Sequence, residues 1–265
     1  MVLELQNVTF SSGDEEILKD ISCRIEEGTC VLVMGPSGSG KTLLLKLMGG
    51  ITPASGGSIV ADGKKLEHLS DREILKISLR QGFVFQDGAL WQNLTLRQNL
   101  SLPVQYHFPK RAAEEINSRI DSLVRRTGFR PNLELRPAHL SGGNRTVVSI
   151  MRALMLDPEL CFFDEPSNGL DGTTHERILQ LLKEMKQRGR TLVIASHDGA
   201  IASLLADWIL VLDDGRLLAY DTVQNLKHTG DERVREILKD VLDLSTTYDT
   251  DILEILGGND ENPFG

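Results

Sequence analysis

Residues 35–42 of this 265-residue chain read Gly-Pro-Ser-Gly-Ser-Gly-Lys-Thr, which fits the pattern GxxxxGK[ST]. Glycines let such a loop bend until several backbone N–H groups point at one anion, and the helix that follows adds the positive end of its dipole. A lysine at this place reaches the outer phosphates of a nucleotide, and a neighbouring hydroxyl suits Mg²⁺. We therefore expect a phosphate-binding loop made of Gly35, Pro36, Ser37, Gly38, Ser39, Gly40, Lys41 and Thr42.

The segments around this loop predict an α/β fold. Thr29–Met34 is a continuous apolar run of strand length, as expected for a buried central strand, and Lys41–Met48 has the composition of an apolar helix. Strands that alternate with helices predict a parallel sheet. Further segments continue the alternation: strands at Leu160–Phe163 and Leu192–Ala195, helical spacing over 110–127 and 173–187, and an antiparallel edge hairpin formed by Trp208–Leu212 and Leu217–Tyr220.

An apolar strand that ends in two carboxylates narrows the chemistry. Leu160-Cys-Phe-Phe is followed directly by Asp164 and Glu165. Asp164 can bind Mg²⁺ directly or through a water. Because side chains alternate along a strand, Glu165 is expected to point to the other side, where it can polarise an attacking water.

A second glycine-rich helix start lies upstream of these carboxylates, in the run Leu140-Ser-Gly-Gly-Asn144. Ser141 is a good helix N-cap, and Gly142 and Gly143 leave free N–H groups for another anion. One nucleotide has one terminal phosphate, which the loop at Gly35 already holds. A second such helix start implies that two copies of the chain face each other, each completing the other's site.

In combination these motifs resemble the ATP-binding subunit of ABC transporters over about residues 1–230. The resemblance implies a P-loop NTPase fold: a RecA-like parallel core sheet, an antiparallel β subdomain, a helical subdomain inserted at about 87–156 and a C-terminal helical extension. It also implies ATP and Mg²⁺ as cofactors and an ATPase activity. The roles it implies are catalysis by Glu165 and His197, ATP binding by Gln86, Ser141, Gly142, Gly143, Asn144 and Asp171 together with the phosphate loop, and metal binding by Thr42, Gln86 and Asp164.

Three positions depart from the family pattern. Ser11-Ser12 stands where an aromatic residue usually stacks on adenine, with Phe10 just before it. Leu43 replaces a second hydroxyl that often contacts the α-phosphate. Asn144 ends the signature motif in place of glutamine, and its shorter amide keeps both donor and acceptor. We expect ATP hydrolysis to survive these changes.

The stretch after Gln86 indicates which kind of transporter this is. Phe-Gln-Asp-Gly-Ala-Leu-Trp91, followed by Leu-Thr, Asn99 and Pro103, is similar to the Mla-type ATPases of MCE lipid-transport systems. That likeness implies phospholipid transport at the cytoplasmic face of a membrane, with a permease on a separate chain, an MCE-domain protein and a small regulatory subunit. The alternatives are another ABC importer or exporter, or a soluble ABC ATPase of cofactor assembly. Leu90-Trp91 is either a partner contact or core packing within the insertion.

Charge separates the last 35 residues from the rest. The net charge is −9, of which residues 231–265 carry −7 and residues 1–230 only −2. Such a balance argues against a nucleic-acid partner, which needs a basic face. No apolar run approaches the roughly 18–20 residues of a membrane span. The three unpatterned cysteines, Cys23, Cys30 and Cys161, are expected to be reduced core residues.

The acidic extension also carries an apolar stripe with helical spacing. Its members are Val234, Ile237, Leu238, Val241 and Leu242, and a second apolar cluster follows at Ile252–Leu256. The stripe predicts an amphipathic helix, which either packs on its own domain or docks on a partner ATPase subunit.

Overall fold

The computed structural model describes residues 1–239 and residue 241. Its centre is a six-stranded sheet in which all neighbours are parallel except at the β9–β10 edge, where the pairing is antiparallel. This arrangement confirms the predicted parallel sheet and hairpin. In spatial order the strands are β10 (Arg216–Thr222), β9 (Trp208–Asp213), β3 (Cys30–Met34), β8 (Thr191–Ala195), β7 (Leu160–Asp164) and β6 (Gln81–Val84).

A separate antiparallel sheet lies against one face of this core. Its strands are, in spatial order, β2 (Glu15–Ile25), β1 (Leu3–Ser12), β4 (Gly56–Ala61) and β5 (Lys64–Lys65). Helix α1 (Lys41–Met48) buries Leu44 and Leu45 in a hydrophobic cluster shared by both sheets. The predicted antiparallel β subdomain is therefore present, and α1 joins it to the core.

Helices cover the remaining faces and the segment after β6. They are α2 (Asp71–Ser78), α3 (Leu96–His107), α4 (Ala113–Thr127), α5 (Gly142–Ala153), α6 (Gly172–Gln187), α7 (Gly199–Leu205), α8 (Val223–Leu226) and α9 (232–239), with 3₁₀ turns at Leu66–His68 and Pro137–His139. The stretch 87–156, all of it described, contains α3 to α5 and no strand. Leu100, Ile120 and Val148 of these helices pack in one cluster with Leu32 and Leu192 of the central sheet.

Local sequence explains where the helices nearest the site begin. Thr95 starts α3 with a capping box, in which its side chain and that of Gln98 satisfy each other's backbone N–H groups. Ser141 and Asp171 cap α5 and α6 more simply, each through a side-chain oxygen that accepts from the backbone N–H three residues on. The three cysteines are buried, as expected from the sequence.

The start of the acidic extension packs on its own chain. Val234, Leu238 and Val241 are almost completely buried in the cluster of the central sheet, with Ile237 packed against it. Arg233 Nε donates to Asp213 Oδ2 of β9 over 2.7 Å. The described residues of the apolar stripe therefore pack on the chain's own domain. Leu242 and the cluster at Ile252–Leu256 lie outside the described residues.

No helix among the described residues is long and apolar enough to cross a membrane.

Candidate active site

Three loops meet at one edge of the central sheet because they follow the carboxyl ends of neighbouring parallel strands. The phosphate loop follows β3, the segment Ser196–Asp198 follows β8, and Glu165 follows β7. Ligands in open α/β sheets bind at this edge. The structure thus brings the phosphate loop, the two carboxylates and His197 together, as the sequence predicted.

The phosphate loop is shaped by close backbone approaches. A Cβ on Gly35 would lie 2.0 Å from the carbonyl oxygen of Leu212, so only glycine fits there. Gly38 has φ +82, with open space where a Cβ would point. No side chain caps α1, whose N-cap is Gly40, and the buried Ser39 hydroxyl has no hydrogen-bond partner within the described residues. Uncapped N–H groups beside an orphaned polar atom fit an anion.

Lys41 lies folded into this loop. Its Nζ donates to the carbonyl oxygens of Gly35 and Pro36 over 2.7 and 2.9 Å. Burial lowers the pKa of the ammonium group, while the carboxylates of Glu165 and Asp164 counteract that shift. The lysine charge is therefore placed between the phosphate loop and both carboxylates.

Asp164 is a buried carboxylate at the end of β7, with 3% of its surface exposed. Burial raises the pKa of its carboxyl group, and a hydrogen bond from the Thr42 side chain opposes the shift. A carboxylate and a hydroxyl are hard oxygen ligands of the kind Mg²⁺ prefers. These two residues fit a magnesium site. Gln86 is exposed in the loop after β6, and its side chain makes no hydrogen bond to any described residue.

The predicted orientation of Glu165 rests on a wrong premise, because β7 ends one residue earlier. Glu165 has a left-handed backbone, with φ +51, so strand alternation does not apply to it. Its N–H donates to the carbonyl oxygen of Ala195 over 2.9 Å, which turns the chain toward the loop after β8. The direction of the side chain is therefore set by this turn.

The Glu165 carboxylate is held by the loop after β8. It accepts hydrogen bonds from the Ser196 side chain and from the His197 N–H. His197 Nε2 lies 3.8 Å from Glu165 Oε1. Burial is the main cause that raises the pKa of the Glu165 carboxyl, whereas Lys41 lowers it. A carboxylate with a raised pKa next to a phosphate loop and a histidine suits a general base.

The second glycine-rich helix start lies on the surface. The Asn144 N–H donates to Ser141 Oγ over 3.3 Å, which confirms Ser141 as the cap of α5. Ser141 and Gly142 are exposed, and a Cβ on Gly142 would meet nothing within 4 Å. A Cβ on Gly143 would lie 2.2 Å from the Gly169 carbonyl oxygen. The helix start is therefore open on one side and packed on the chain's own segment Ser167–Asp171 on the other.

Asp171 is engaged in its own helix. Its carboxylate accepts from the Thr174 N–H and from the Thr174 hydroxyl, each over 2.9 Å. No hydrogen bond or ion pair in the described part of the chain joins Asp171 or Ser141–Asn144 to the phosphate loop. Within one chain, the predicted ATP-binding residues therefore form two separate groups.

Two contacts were not predicted. Arg152 of α5 donates to the carbonyl oxygens of Ala89 and Gly88 over 2.7 and 3.0 Å, and these bonds connect α5 to the loop after Gln86. His175 of α6 contacts Asp198, next to His197. No motif marks either contact, because each joins residues that are far apart in the sequence.

The departures noted in the sequence have clear positions. Phe10 and Leu43 are partly buried against the cluster that holds α1.

The Leu90-Trp91 pair divides between core and surface. Leu90 is buried, so it is a core residue, whereas the Trp91 side chain is 59% exposed. The buried Asn99 side chain accepts from the Trp91 N–H over 2.8 Å and donates to the Trp91 carbonyl over 3.0 Å, which fixes the backbone that presents the indole.

Comparison with known proteins assigns the family. Residues 18–168 match the profile described as ABC transporter. The chain is 34% identical over 241 residues to the intermembrane phospholipid transport system ATP-binding protein MlaF of Haemophilus influenzae, covering 90% of each chain. It is 31% identical to the L-cystine import ATP-binding protein TcyC of Bacillus subtilis, covering 91% of this chain and 99% of that one.

A solved structure supports the same assignment. It is a dimeric ATP-binding cassette in a post-hydrolysis state bound to ADP and phosphate, similar with a TM-score of 0.78 and 33% identity, over 83% of this chain and 98% of that one. The P-loop NTPase fold with its antiparallel sheet is thereby confirmed. The chain belongs to the ABC transporter family and is one of its ATP-binding ATPases.

Proposed function

We propose that two copies of the chain close head-to-tail on two ATP molecules, with the phosphate loop of one copy opposite Ser141–Asn144 of the other. The separation of the site into two groups carries this proposal. One group has the lysine and the carboxylates, and the other has an exposed helix start with free N–H groups. A dimeric cassette among the similar structures supports the pairing.

Each residue has a chemical task in this arrangement. The N–H groups of 38–42 and the Lys41 ammonium bind the β- and γ-phosphates. Glu165 accepts the proton of the attacking water, and His197 lies beside it to contact the γ-phosphate. Thr42, Asp164 and Gln86 would hold Mg²⁺, which would neutralise phosphate charge when bound.

The transported molecule is proposed to be a phospholipid, and the chain to act at the cytoplasmic face of a membrane. The MlaF proteins of Haemophilus influenzae and Escherichia coli, at 34 and 32% identity, support this class. The exposed Trp91 and its fixed backbone offer an apolar contact for a permease on a separate chain. An MCE-domain protein and a small regulatory subunit would complete the system, and we propose no nucleic-acid partner.

The dimer mechanism is tested with Glu165→Gln. Loss of a general base should slow hydrolysis roughly 10²–10⁴-fold while ATP still binds. The variant should then elute as an ATP-dependent dimer in size-exclusion chromatography, whereas Lys41→Ala should not. A monomer that hydrolyses ATP at the parent rate would disprove the mechanism.

The transport class is tested by purifying the tagged chain from membranes. A multi-span permease should co-purify with bound phospholipid, and Trp91→Ala should weaken that capture without changing ATP binding. A co-purified permease that carries an amino acid rather than lipid would favour an importer of the cystine type. Absence of any membrane protein from the purified complex would favour a soluble assembly ATPase.

A further inference from the structure

The segment that follows the catalytic carboxylate is tied to the loop after β8 at both of its ends. At its start, the Glu165 N–H donates to the Ala195 carbonyl, and the Glu165 carboxylate accepts from Ser196 and from the His197 N–H. Ten residues later, in the first turn of α6, His175 Nε2 contacts Asp198 Oδ2 over 2.5 Å. The chain between these two ties, residues 166–174, contains the segment Ser167–Asp171.

The second tie has a defined hydrogen-bond direction. A carboxylate only accepts, so His175 Nε2 carries the hydrogen and donates it to Asp198. The other Asp198 oxygen accepts from the N–H groups of Ala200 and Ile201, over 2.9 and 3.4 Å, and so caps α7. Both side chains of the pair are largely shielded, with 27 and 15% exposed.

The tie also leads back to the catalytic carboxylate. The Asp198 N–H donates to Ser196 Oγ over 3.2 Å, and the Ser196 side chain is hydrogen-bonded to Glu165. Ser196 is completely buried, so this link is protected from water. His175 is therefore linked to Glu165 by hydrogen bonds through the side chain and backbone of Asp198 and through Ser196, and the link starts outside the motifs.

We infer that His175 is a positioning residue for hydrolysis: it fixes Asp198, and through Asp198 it holds Ser196–His197 against Glu165 and holds Ser167–Asp171 beside Gly143. The inference rests on the proposed function, because it assigns Glu165 and His197 to the reaction. A group that holds the base and the histidine acts on the rate of the chemical step more than on nucleotide binding.

The first test compares ATP hydrolysis by the parent, His175→Ala, Asp198→Asn and the double variant. His175→Ala should lower kcat roughly 5- to 100-fold with KM for ATP unchanged, since small displacements of reacting groups have effects of this size. Asp198→Asn keeps an oxygen to cap α7, and the double variant should be no slower than the slower single one. Multiplying losses, or an unchanged kcat in His175→Ala, would overturn the inference.

Two further variants separate positioning from folding. His175→Gln retains a side-chain N–H donor and should recover a rate within about threefold of the parent; a rate as low as that of alanine would rule out the hydrogen bond as the link. Glu176→Gln, at the exposed neighbouring position, is the matched control and should keep parent kcat. Thermal melts should show every variant fully folded at the assay temperature, and a kcat loss explained by partial unfolding at that temperature would overturn the positioning role.

Amide hydrogen exchange tests the His175–Asp198 contact independently of ATP hydrolysis. Amides of 167–171 and 196–198 should exchange faster in His175→Ala than in Glu176→Gln, and unchanged exchange would overturn the inference at any hydrolysis rate. If Glu165→Gln instead hydrolyses ATP as fast as the parent, the proposed role of Glu165 fails, while the exchange comparison still decides whether His175 holds the two segments.

Discussion

The two glycine-rich helix starts use the same backbone device in opposite settings. The start of α1 lies at the sheet edge, with no side-chain cap, and has Lys41, Asp164 and Glu165 around it. The start of α5 is exposed, capped by its own Ser141, and has no such group hydrogen-bonded to it among the described residues. One start has the reactive groups and the other has only an open anion-binding surface. In the proposed dimer each is half of a site, and the second copy supplies the missing half.

Mixing two inactive variants tests this division most strongly. Lys41→Ala removes the first half and Ser141→Arg blocks the second, so each alone should lose at least roughly 10²-fold in hydrolysis. In a mixed pair one site joins the two intact halves. An equimolar mixture should therefore recover between about a quarter of the parent rate, the value when copies pair at random, and about half, the value when only mixed pairs form, because each mixed pair has one good site.

The measurement is steady-state phosphate release before and after mixing and re-equilibration. A mixture that stays as slow as its components would contradict the assignment of the two halves to different copies. Mixing Lys41→Ala with itself at the same total concentration is the control for dilution.

Substitutions at the two adjacent glycines separate the open side of the α5 start from its packed side. Gly143→Ala places a methyl group 2.2 Å from the Gly169 carbonyl and should destabilise the fold by about 1–3 kcal/mol. Gly142→Ala adds its methyl to open space, where the partner's phosphate is proposed to bind. It should keep parent stability and lose roughly tenfold or more in hydrolysis.

Urea unfolding and ATPase assays on both variants measure this contrast. Equal losses of stability would show that the open side is also packed. Full activity in a stable Gly142→Ala variant would show that this side faces no phosphate.

The buried carboxylates at the start of α1 make that half sensitive to pH. Glu165 must be unprotonated to act as a base, and burial raises its pKa above the ordinary 4.5. Hydrolysis should therefore decline with falling pH already above pH 4.5. The raised pKa also means that the ionised carboxyl destabilises the fold at neutral pH, and that this penalty disappears as the pH falls through the raised pKa.

Glu165→Gln should accordingly unfold at a higher temperature than the parent at neutral pH, with the difference shrinking in acid. Thermal melts at several pH values measure this effect. An advantage that grows on acidification would show that the carboxyl is not destabilised by burial. Glu176→Gln, which removes an exposed carboxylate, serves as the matched control.

The smallest effect is expected at Asn144. It follows the exposed Gly142 and the packed Gly143, and glutamine there restores the family's usual amide with one more methylene. Asn144→Gln should change kcat/KM for ATP by less than about threefold, because donor and acceptor are both kept. Asn144→Ala should lose more, and equal values for the two variants would show that the amide does not contribute.

Strong local patterns explain how much of the fold could be predicted. Strand β3, helix α1 and the β9–β10 hairpin have continuous apolar runs or clear turn residues, and the sequence predicts them to within a residue or two. Helix α2 and strand β6 were not predicted. Strand β6 has only four residues, too few for an apolar periodicity to stand out. Helix α2 has no buried residue, but it begins at a capping box formed by Ser70 and Glu73, which is a sequence signal for a helix start.

The site shows the same limit in finer detail. Loops that follow buried strands could be located from their motifs, because parallel strands end at one edge of the sheet. The orientation of Glu165 could not, since it depends on where β7 ends and on a left-handed backbone. His175 and Arg152 contact residues 23 and 63 positions away, so only the folded chain brings their partners within reach.

Because Glu165 has a left-handed backbone, the residue that would be most stable at this position differs from the residue that hydrolysis needs. A residue with a side chain pays of order 1 kcal/mol or more for this conformation, and glycine would adopt it freely. Glycine at 165 would also remove a buried charge, so this substitution should stabilise the fold in two ways while it removes the general base. A library selected only for thermal stability should therefore enrich glycine at 165, and it would return well-folded chains that bind ATP and do not hydrolyse it.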